Sequence, residues 1–208
     1  MQNKGYLITL EGIDGCGKTT QAERLFAVLA DRGLSSHLFR EPGGTVIGEK
    51  IRSILLDPSL TEMHPLAELF LYLAARVQIT DELIRPSLEH GDIVVMDRYS
   101  DSTVAYQGYA RGIGSDTVSN VNAIATMGLR PDVTFIIDCD PVLAMSRVSS
   151  EPDRLESEGL VFMERVREGF LELAKQDPKR YVIIDGSKSI ELVGADIDRE
   201  IARWFDFS

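Results

Sequence analysis

The sequence is poor in features that would set it apart from ordinary globular proteins. Its 208 residues include two cysteines, Cys16 and Cys139, which are too few for a disulfide framework and are expected to be reduced thiols. No apolar run approaches the ~18 residues of a membrane-spanning helix, and the N-terminus is too polar for a signal peptide. The three histidines, His37, His64 and His90, lack metal-ligand spacing, so we expect surface or structural roles for them. These absences predict a cytoplasmic protein without a membrane partner.

Positive charge is also scarce. The chain has 22 lysine and arginine residues against 33 aspartate and glutamate residues, a formal net charge of -11. This balance argues against nucleic acid or an anionic membrane as the main partner, but not against a nucleotide substrate, which local cations would bind. The hydrophobic share of 44% and the charged share of 26% are ordinary for a globular protein. We therefore expect residues 1–208 to form one domain, or one domain with insertions.

What the chain does have is a glycine-rich stretch directly after an apolar run. Residues 12–19, GIDGCGKT, follow the phosphate-loop pattern of Gly, four residues, Gly, Lys and Ser or Thr. The glycines would let the backbone wrap around a polyphosphate, with its N–H groups and the positive end of the following helix facing the anion. Lys18 would bring a cation to the phosphates, and the Thr19 hydroxyl is placed to ligate Mg²⁺. The alternative is a glycine-rich turn without a ligand. The nucleotide-binding residues predicted from this stretch are Gly12, Ile13, Asp14, Gly15, Cys16, Gly17, Lys18, Thr19 and Thr20.

Apolar runs alternate with amphipathic periods along the rest of the chain. The predicted strands are residues 6–10, 36–40, 93–97, 133–138 and 181–185. The predicted helices are residues 18–31, 45–56, 65–89, 117–127, 141–147, 160–176 and 189–205. Strands that alternate with helices indicate an α/β protein with a parallel sheet of five strands, flanked by helices on both faces.

Two of these segments carry further expectations. In the helix predicted for residues 65–89, one apolar stripe at helical spacing should face the core. Its members are Leu66, Leu69, Phe70, Leu73 and Val77. The segment 149–159 is polar and charged and contains Pro152, so we expect an exposed, mobile loop there.

Charged and aromatic residues near the predicted strand ends are candidates for the site. Asp97 ends a buried strand, where a second carboxylate is needed to hold Mg²⁺; the alternative is that it caps the next helix. Arg98 would then lie near the phosphates, because ligands gather at the carboxyl ends of such strands. Tyr72 and Arg76 project together from one helix stripe, either toward a ligand or as a rim tyrosine beside a solvated arginine.

Three classes of phosphate-loop protein compete at this point. A GTPase would need a guanine-reading Asn-Lys-x-Asp element, but the only Asn-Lys pair, Asn3-Lys4, precedes the first strand. A large motor or transporter ATPase would need a longer chain. A small kinase with an acceptor pocket fits both the length and the polar segments that follow the strands.

Five stretches together resemble the thymidylate (dTMP) kinases of the bacterial type. They are EGIDGCGKTT at 11–20, REPGGT at 40–45, YLAARVQ at 72–78, DRY at 97–99 and STVAYQ at 102–107. The resemblance runs from about residue 5 to the C-terminus. It implies a P-loop NTPase fold, a homodimer, and direct in-line transfer of the γ-phosphate of ATP to dTMP with Mg²⁺.

The resemblance also implies roles for individual residues. Tyr72 takes the place of an aromatic ring, usually Phe, that stacks on thymine. Pro42 occupies a position where related enzymes often have a cis peptide. The metal ligands implied are Thr19 and Asp97. The acceptor-binding residues implied are Asp14 at the sugar 3′-hydroxyl, Arg52 and Arg98 at the phosphate, Tyr72, Arg76, Thr103 and Gln107 at the base, and Tyr106 under the deoxyribose.

Charge decides the mechanism that the resemblance implies. Lys18, Arg98 and a mobile arginine would neutralise the transferred group, and no general base is required, since the attacking phosphate oxygen is already ionised. The loop 149–159 would act as a lid that excludes water, although it lacks most of the basic residues usual in this family. Arg154 is the candidate for the mobile arginine, with a salt bridge to Glu151 or Glu156 as the alternative. Arg147 is a candidate for packing near adenine.

Two other functions compete with dTMP phosphorylation. One is a kinase for another nucleoside monophosphate, such as UMP, CMP or AMP. The other is a nucleotide-binding regulatory protein with weak or no chemistry, which the depleted lid would favour. The polar arrangement at Tyr106 and Gln107 favours dTMP over the first rival.

Overall fold

The computed structural model describes residues 5–148 and 153–203. Its centre is an all-parallel sheet with the strand order β2-β3-β1-β4-β5. The strands are β1 (Tyr6–Glu11), β2 (Ser36–Arg40), β3 (Ile93–Asp97), β4 (Val133–Asp138) and β5 (Tyr181–Asp185). The three inner strands are buried almost throughout, which is why they read as continuous apolar runs. The predicted five-stranded parallel sheet is confirmed.

Helices cover the sheet. They are α1 (Lys18–Asp31), α2 (Val46–Leu56), α3 (Pro65–Ile79), α4 (Arg85–His90), α5 (Ser100–Thr103), α6 (Ser115–Ala125), α7 (Pro141–Arg147), α8 (Leu160–Gln176) and α9 (Ile190–Ile201). Two π-helical segments, Thr80–Ile84 and Val104–Ala110, join α3 to α4 and extend α5. In the described ranges 5–148 and 153–203, no helix combines the length and apolar character that a membrane crossing requires.

The helix predicted for residues 65–89 is present but not regular. It passes through the π-helical segment Thr80–Ile84 before it continues as α4. Pro86 lies at the start of α4. A proline has no N–H and its ring collides with the carbonyl four residues earlier, so a locally wider turn lets the chain pass it.

The predicted inner stripe of α3 is only partly right. Leu69 and Leu73 are buried, but Leu66, Phe70 and Val77 are exposed, Phe70 by 60%. The buried face of α3 also includes the polar residues Glu68 and Arg76. An apolar period cannot reveal a face whose charges are neutralised by partners elsewhere in the chain.

The loop expected to be exposed is partly packed where the structure describes it, since Ser157 and Glu158 are exposed but the two residues after Asp153 are not. Arg154 and Leu155 are buried, and the Arg154 N–H donates to the Leu56 carbonyl at the end of α2. A short 3-10 turn, Glu156–Glu158, follows. The expectation of exposure is therefore wrong for Arg154 and Leu155, because both find partners in the body of the protein; residues 149–152 lie outside the described residues.

The structure also places two of the histidines, both cysteines and the end of the last helix. His64 caps α3 by accepting from the Leu66 N–H, and His37 lies 2.9 Å from a carboxylate oxygen of Asp92. Cys16 and Cys139 are free thiols in buried positions. The last helix ends at Ile201, earlier than predicted, and residues 204–208 lie outside the described part of the chain.

Candidate active site

The phosphate-loop segment lies between the end of β1 and the start of α1. Gly15 and Gly17 have φ angles of 80° and 97°, the left-handed region that favours glycine. A side chain at Gly15 would also collide with the Ala144 carbonyl, since an added Cβ would lie 2.0 Å from its oxygen. The glycines thus allow the close turn that aims backbone N–H groups and the α1 N-terminus at one point.

Asp14 is the common anion of the loop. The Lys18 ammonium lies 3.1 Å from Asp14 Oδ1, and Arg98 Nη2 donates to the same oxygen at 2.6 Å. The Tyr106 hydroxyl donates to Asp14 Oδ2 at 3.0 Å. Burial alone would raise the pKa of Asp14, but the charges of Arg98 and Lys18 outweigh it and hold the pKa well below its usual range. An ionised Asp14 therefore holds two cations at the place where phosphates would arrive.

Arg98 is held in a strained backbone conformation, with φ at 68°. Glu11 secures the following turn, because its carboxyl group accepts from the Tyr99 N–H at 2.8 Å and from the Ser102 hydroxyl at 2.5 Å. Arg98 Nη1 in turn donates to Ser102 Oγ and to the carbonyl of Gly12. Burial raises the pKa of Glu11 to about 8, and the charge of Asp101 adds to that shift. The Arg98 guanidinium is thus fixed between Gly12 of the phosphate loop and Ser102 of α5.

Thr19 and Asp97 form a candidate metal site. Thr19 Oγ1 donates to Asp97 Oδ2 at 2.6 Å, and Asp97 Oδ1 is buried without a hydrogen-bond partner among the described residues. A spare carboxylate oxygen beside a hydroxyl suits Mg²⁺, which keeps water and phosphate oxygens as its other ligands. Asp97 does not cap α5, because the N-cap residue of that helix is Tyr99 and no side chain caps it. In the described ranges, no group of three or more His, Cys, Asp or Glu side chains could hold a metal ion alone.

A pocket adjoins the phosphate loop on the side of α3. The structure brings all eight predicted acceptor residues to its wall: Asp14, Arg52, Tyr72, Arg76, Arg98, Thr103, Tyr106 and Gln107. Arg52 Nη1 donates to the Pro42 carbonyl at 2.9 Å, and the Glu41–Pro42 peptide is cis. The pocket and the loop share Asp14 and Arg98, so an acceptor bound here would face a nucleotide held on the loop.

Arg76 is not the solvated arginine that its sequence position allowed. Its side chain is 1% exposed and pairs with Glu41, which is 3% exposed. Nη1 donates to Thr103 Oγ1 and Asn122 Oδ1, both at 2.7 Å, and Nη2 also donates to the Tyr99 carbonyl. Together with the Nε and Nη2 bonds to Glu41, these contacts use all five N–H donors of the guanidinium. A base that binds Arg76 directly must displace one of them.

Arg154 has a different partner from those considered on sequence. Arg154 Nη1 lies 2.6 Å from a carboxylate oxygen of Glu68, and Nε donates to the Leu55 carbonyl at 2.8 Å. Its remaining Nη2 is buried without a partner in the part of the chain that the structure describes. Among the described residues Arg154 forms no ion pair with Glu156, because Glu68 takes it; Glu151 is outside them. The placement holds Arg154 beside the acceptor pocket rather than free in a lid.

Arg147 lies on the side of the phosphate loop away from the acceptor pocket. Its Nη1 donates to the Gly186 carbonyl at 2.8 Å and is near the Cys139 sulfur. Together with the loop and the start of α1 it lines a separate groove that reaches Ile190. Packing of Arg147 near adenine stays a prediction.

Sequence reasoning missed three buried acids whose carboxyl groups hydrogen-bond to side chains of the site. They are Glu11, Glu41 and Glu68. Glu68 accepts from Gln107 Nε2 at 2.9 Å and pairs with Arg111 and Arg154. One signal was available, because positions 68, 72 and 76 follow at helical spacing and place an acid on the same face as the predicted base-binding pair.

Comparison with known proteins gives a consistent result. A family model described as thymidylate kinase matches residues 10–197. The chain is 50% identical to the thymidylate kinase of Thermoanaerobacter sp. (strain X514) over 93% of this chain and 96% of that protein. It is 44% identical to the thymidylate kinase of Deinococcus radiodurans over 94% and 95% of the two chains. The crystal structure of thymidylate kinase from Ehrlichia chaffeensis superposes with a TM-score of 0.80 at 34% identity, covering 95% of this chain and 99% of that one.

Proposed function

The chain belongs to the thymidylate kinase family, and we infer that it is a nucleoside monophosphate kinase that converts dTMP and ATP to dTDP and ADP. One observation carries the inference: Arg98 touches the phosphate loop at Gly12 and also lines the acceptor pocket. A single cation can therefore contact both the donor and the acceptor phosphate, as transfer between two anions requires.

We propose the following roles in that transfer. The loop residues 12–20 and Lys18 bind the ATP phosphates, and Arg98 and Arg52 bind the acceptor phosphate. Mg²⁺, held by Thr19 and Asp97, would neutralise charge between the two phosphates when bound. Tyr72 and Tyr106 hold the base and sugar, and Asp14 accepts from the 3′-hydroxyl. The acceptor oxygen is already ionised near neutral pH, so no residue has to remove a proton.

We also propose that the described residues belong to one domain spanning 1–208, with a lid at about 149–159 that closes over the phosphates. Arg154 is the cation that we propose for that lid, and it would have to leave Glu68 to reach the transferred group. The buried free thiols Cys16 and Cys139 suit a reducing cytoplasm, which we propose as the location.

A coupled ADP-release assay across nucleoside monophosphates tests the function. We expect ADP production that depends on added dTMP and exceeds that with UMP, CMP or AMP. Preference for another monophosphate would identify a different kinase of the same fold. ATP binding without release of ADP with any acceptor would instead favour the regulatory alternative.

Replacing Tyr72 with alanine is expected to weaken dTMP binding by ~1–3 kcal/mol, because the half-buried ring lines the acceptor pocket, where we propose that it stacks on the base. Isothermal titration calorimetry with dTMP measures the effect. Tyr72→Phe is the control, since it keeps the ring and should keep the affinity. Unchanged binding by Tyr72→Ala would return this side chain to a purely structural role.

We propose that the protein is a homodimer that pairs through α2 and α3. These two helices expose large apolar side chains that a monomer would leave in water. They are Val46, Ile47, Ile54, Leu66, Phe70 and Val77. The three residues of α3 that sequence reasoning assigned to the core lie on this face.

Phe70→Arg is expected to raise the dimer dissociation constant by roughly thirtyfold or more, because it places a charge in the middle of the apolar face. Analytical ultracentrifugation over a concentration series measures the shift. Val161→Arg on α8 is a matched control, since Val161 is similarly exposed on another surface. A wild-type protein that sediments as a monomer would contradict the proposal.

A further inference from the structure

Gln107 and Thr103 are the polar side chains that we expect to contact the base of the acceptor, and each hydrogen-bonds to a buried charged side chain. Gln107 Nε2 donates to Glu68 Oε1 at 2.9 Å, and Thr103 Oγ1 accepts from Arg76 Nη1 at 2.7 Å. All four side chains are almost fully buried. An amide or a hydroxyl can turn either a donor or an acceptor toward a ligand, but the polarity of an ion is fixed. The ions therefore determine what the other two groups offer.

Glu68 makes Gln107 an acceptor for the ligand. The Glu68 carboxylate also pairs with Arg111 at 3.1 Å and with Arg154 at 2.6 Å. Burial alone would raise the pKa of Glu68, but hydrogen bonds from Arg111 and Gln107 bring it below its ordinary value. An ionised carboxylate only accepts, so Gln107 must turn its NH₂ toward Glu68. Its amide oxygen accepts no hydrogen bond from the residues that the structure describes, and the side chain lines the pocket.

Arg76 makes Thr103 a donor for the ligand. A guanidinium cannot accept a hydrogen bond, so the Thr103 oxygen accepts from Arg76 and its own hydrogen stays available. Within the described residues this hydroxyl has no acceptor, and Thr103 lines the same pocket. The base end of the pocket therefore presents one donor and one acceptor of defined polarity.

We propose that Glu68, acting through Gln107, and Arg76, acting through Thr103, select a pyrimidine that carries an N3–H donor beside a C4 carbonyl. Cytosine has the opposite pattern, because its N3 accepts and its 4-amino group donates. It would set acceptor against acceptor and donor against donor in a buried site, where unpaired groups are costly. The proposal rests on dTMP as the acceptor and adds Glu68 as a positioning residue for specificity.

The test compares dTMP with 5-methyl-dCMP, which has the same methyl group, sugar and phosphate and differs only at N3 and C4. Glu68→Gln is expected to lower the ratio of kcat/KM for dTMP to that for 5-methyl-dCMP by roughly tenfold or more. The reason is that a glutamine at position 68 both donates and accepts, so Gln107 is free to turn over. A ratio is the appropriate measure, because general damage to the fold lowers both values together.

Three further variants test whether a change in this ratio comes from the polarity of Gln107 and Thr103. Combining Glu68→Gln with Gln107→Glu puts a carboxylate acceptor back at the base and should restore the ratio. Thr103→Val keeps the shape but removes the donor, so it should lower the ratio independently of Glu68. Arg111→Gln removes a partner of Glu68 without freeing Gln107, so it should leave the ratio unchanged.

The outcomes separate this proposal from the proposed function. If Glu68→Gln lowers kcat/KM equally for both nucleotides, or if Thr103→Val leaves the ratio unchanged, the polarity assignment is overturned. Neither result would affect the proposed function, because the wild-type protein would still phosphorylate dTMP. If Glu68→Gln does not fold, Thr103→Val and the double variant decide. A wild-type protein that does not phosphorylate dTMP would instead refute the proposed function itself.

Discussion

Arg98→Ala is expected to lower kcat for phosphoryl transfer by roughly 10²–10³-fold while ATP affinity changes little. The guanidinium is 13% exposed, contacts Asp14 at 2.6 Å and lines the acceptor pocket, so its charge acts where the two phosphates meet. Lys18 and the loop N–H groups remain to bind ATP. Steady-state kinetics with calorimetry of ATP binding measures the two quantities separately. An equal loss of ATP affinity would show that Arg98 belongs to the donor site.

The backbone at this position provides a control for stability. A residue other than glycine at a φ of 68° costs on the order of 1–2 kcal/mol, and this chain bears that cost to keep an arginine here. Arg98→Gly should therefore be at least as stable as Arg98→Ala and equally inactive. Arg167→Ala removes an arginine paired with Asp138 outside both pockets, and it should leave kcat near the wild-type value.

The fold was largely predictable because its signals are local. The three inner strands are nearly continuous apolar runs, and the phosphate loop has a fixed spacing of glycines before Lys18. The resemblance to one family then supplied acceptor residues from several separate segments, and the structure brings them to one pocket. Turn and sheet signals thus sufficed to place the site at the carboxyl edge of β1 and β3.

What escaped prediction depends on partners distant in sequence. Glu41 meets Arg76 across 35 positions, and Glu11 meets Ser102 across 91. A buried acid looks like a surface acid until its partner is known, and this is why the predicted inner stripe of α3 is only partly right. The unsuspected packing of Arg154 has the same cause, since Glu68 lies far back along the chain.

Arg76→Ala is expected to lower the free energy of unfolding by about 3–5 kcal/mol, because it leaves the Glu41 carboxylate buried without its cation. Glu41 Oε1 already lacks a hydrogen-bond partner among the described residues, so no other group there can take over. Urea unfolding at constant m-value measures the change. Arg24→Ala is the matched control, since Arg24 pairs with Asp198 at the surface with about a third of each side chain exposed, and it should cost less than ~1 kcal/mol.

The pH dependence of the stability lost in Arg76→Ala gives a further check on the cause of that loss. Burial raises the pKa of Glu41 even with Arg76 opposing that shift, so removal of Arg76 should raise it more. The folded variant then keeps a proton that the unfolded chain releases above about pH 4.5. Stability of the variant should therefore fall as pH rises above that value, and its deficit against the wild-type protein should be larger at pH 8 than at pH 5. A deficit independent of pH would mean that lost packing, rather than an uncompensated carboxylate, destabilises the variant.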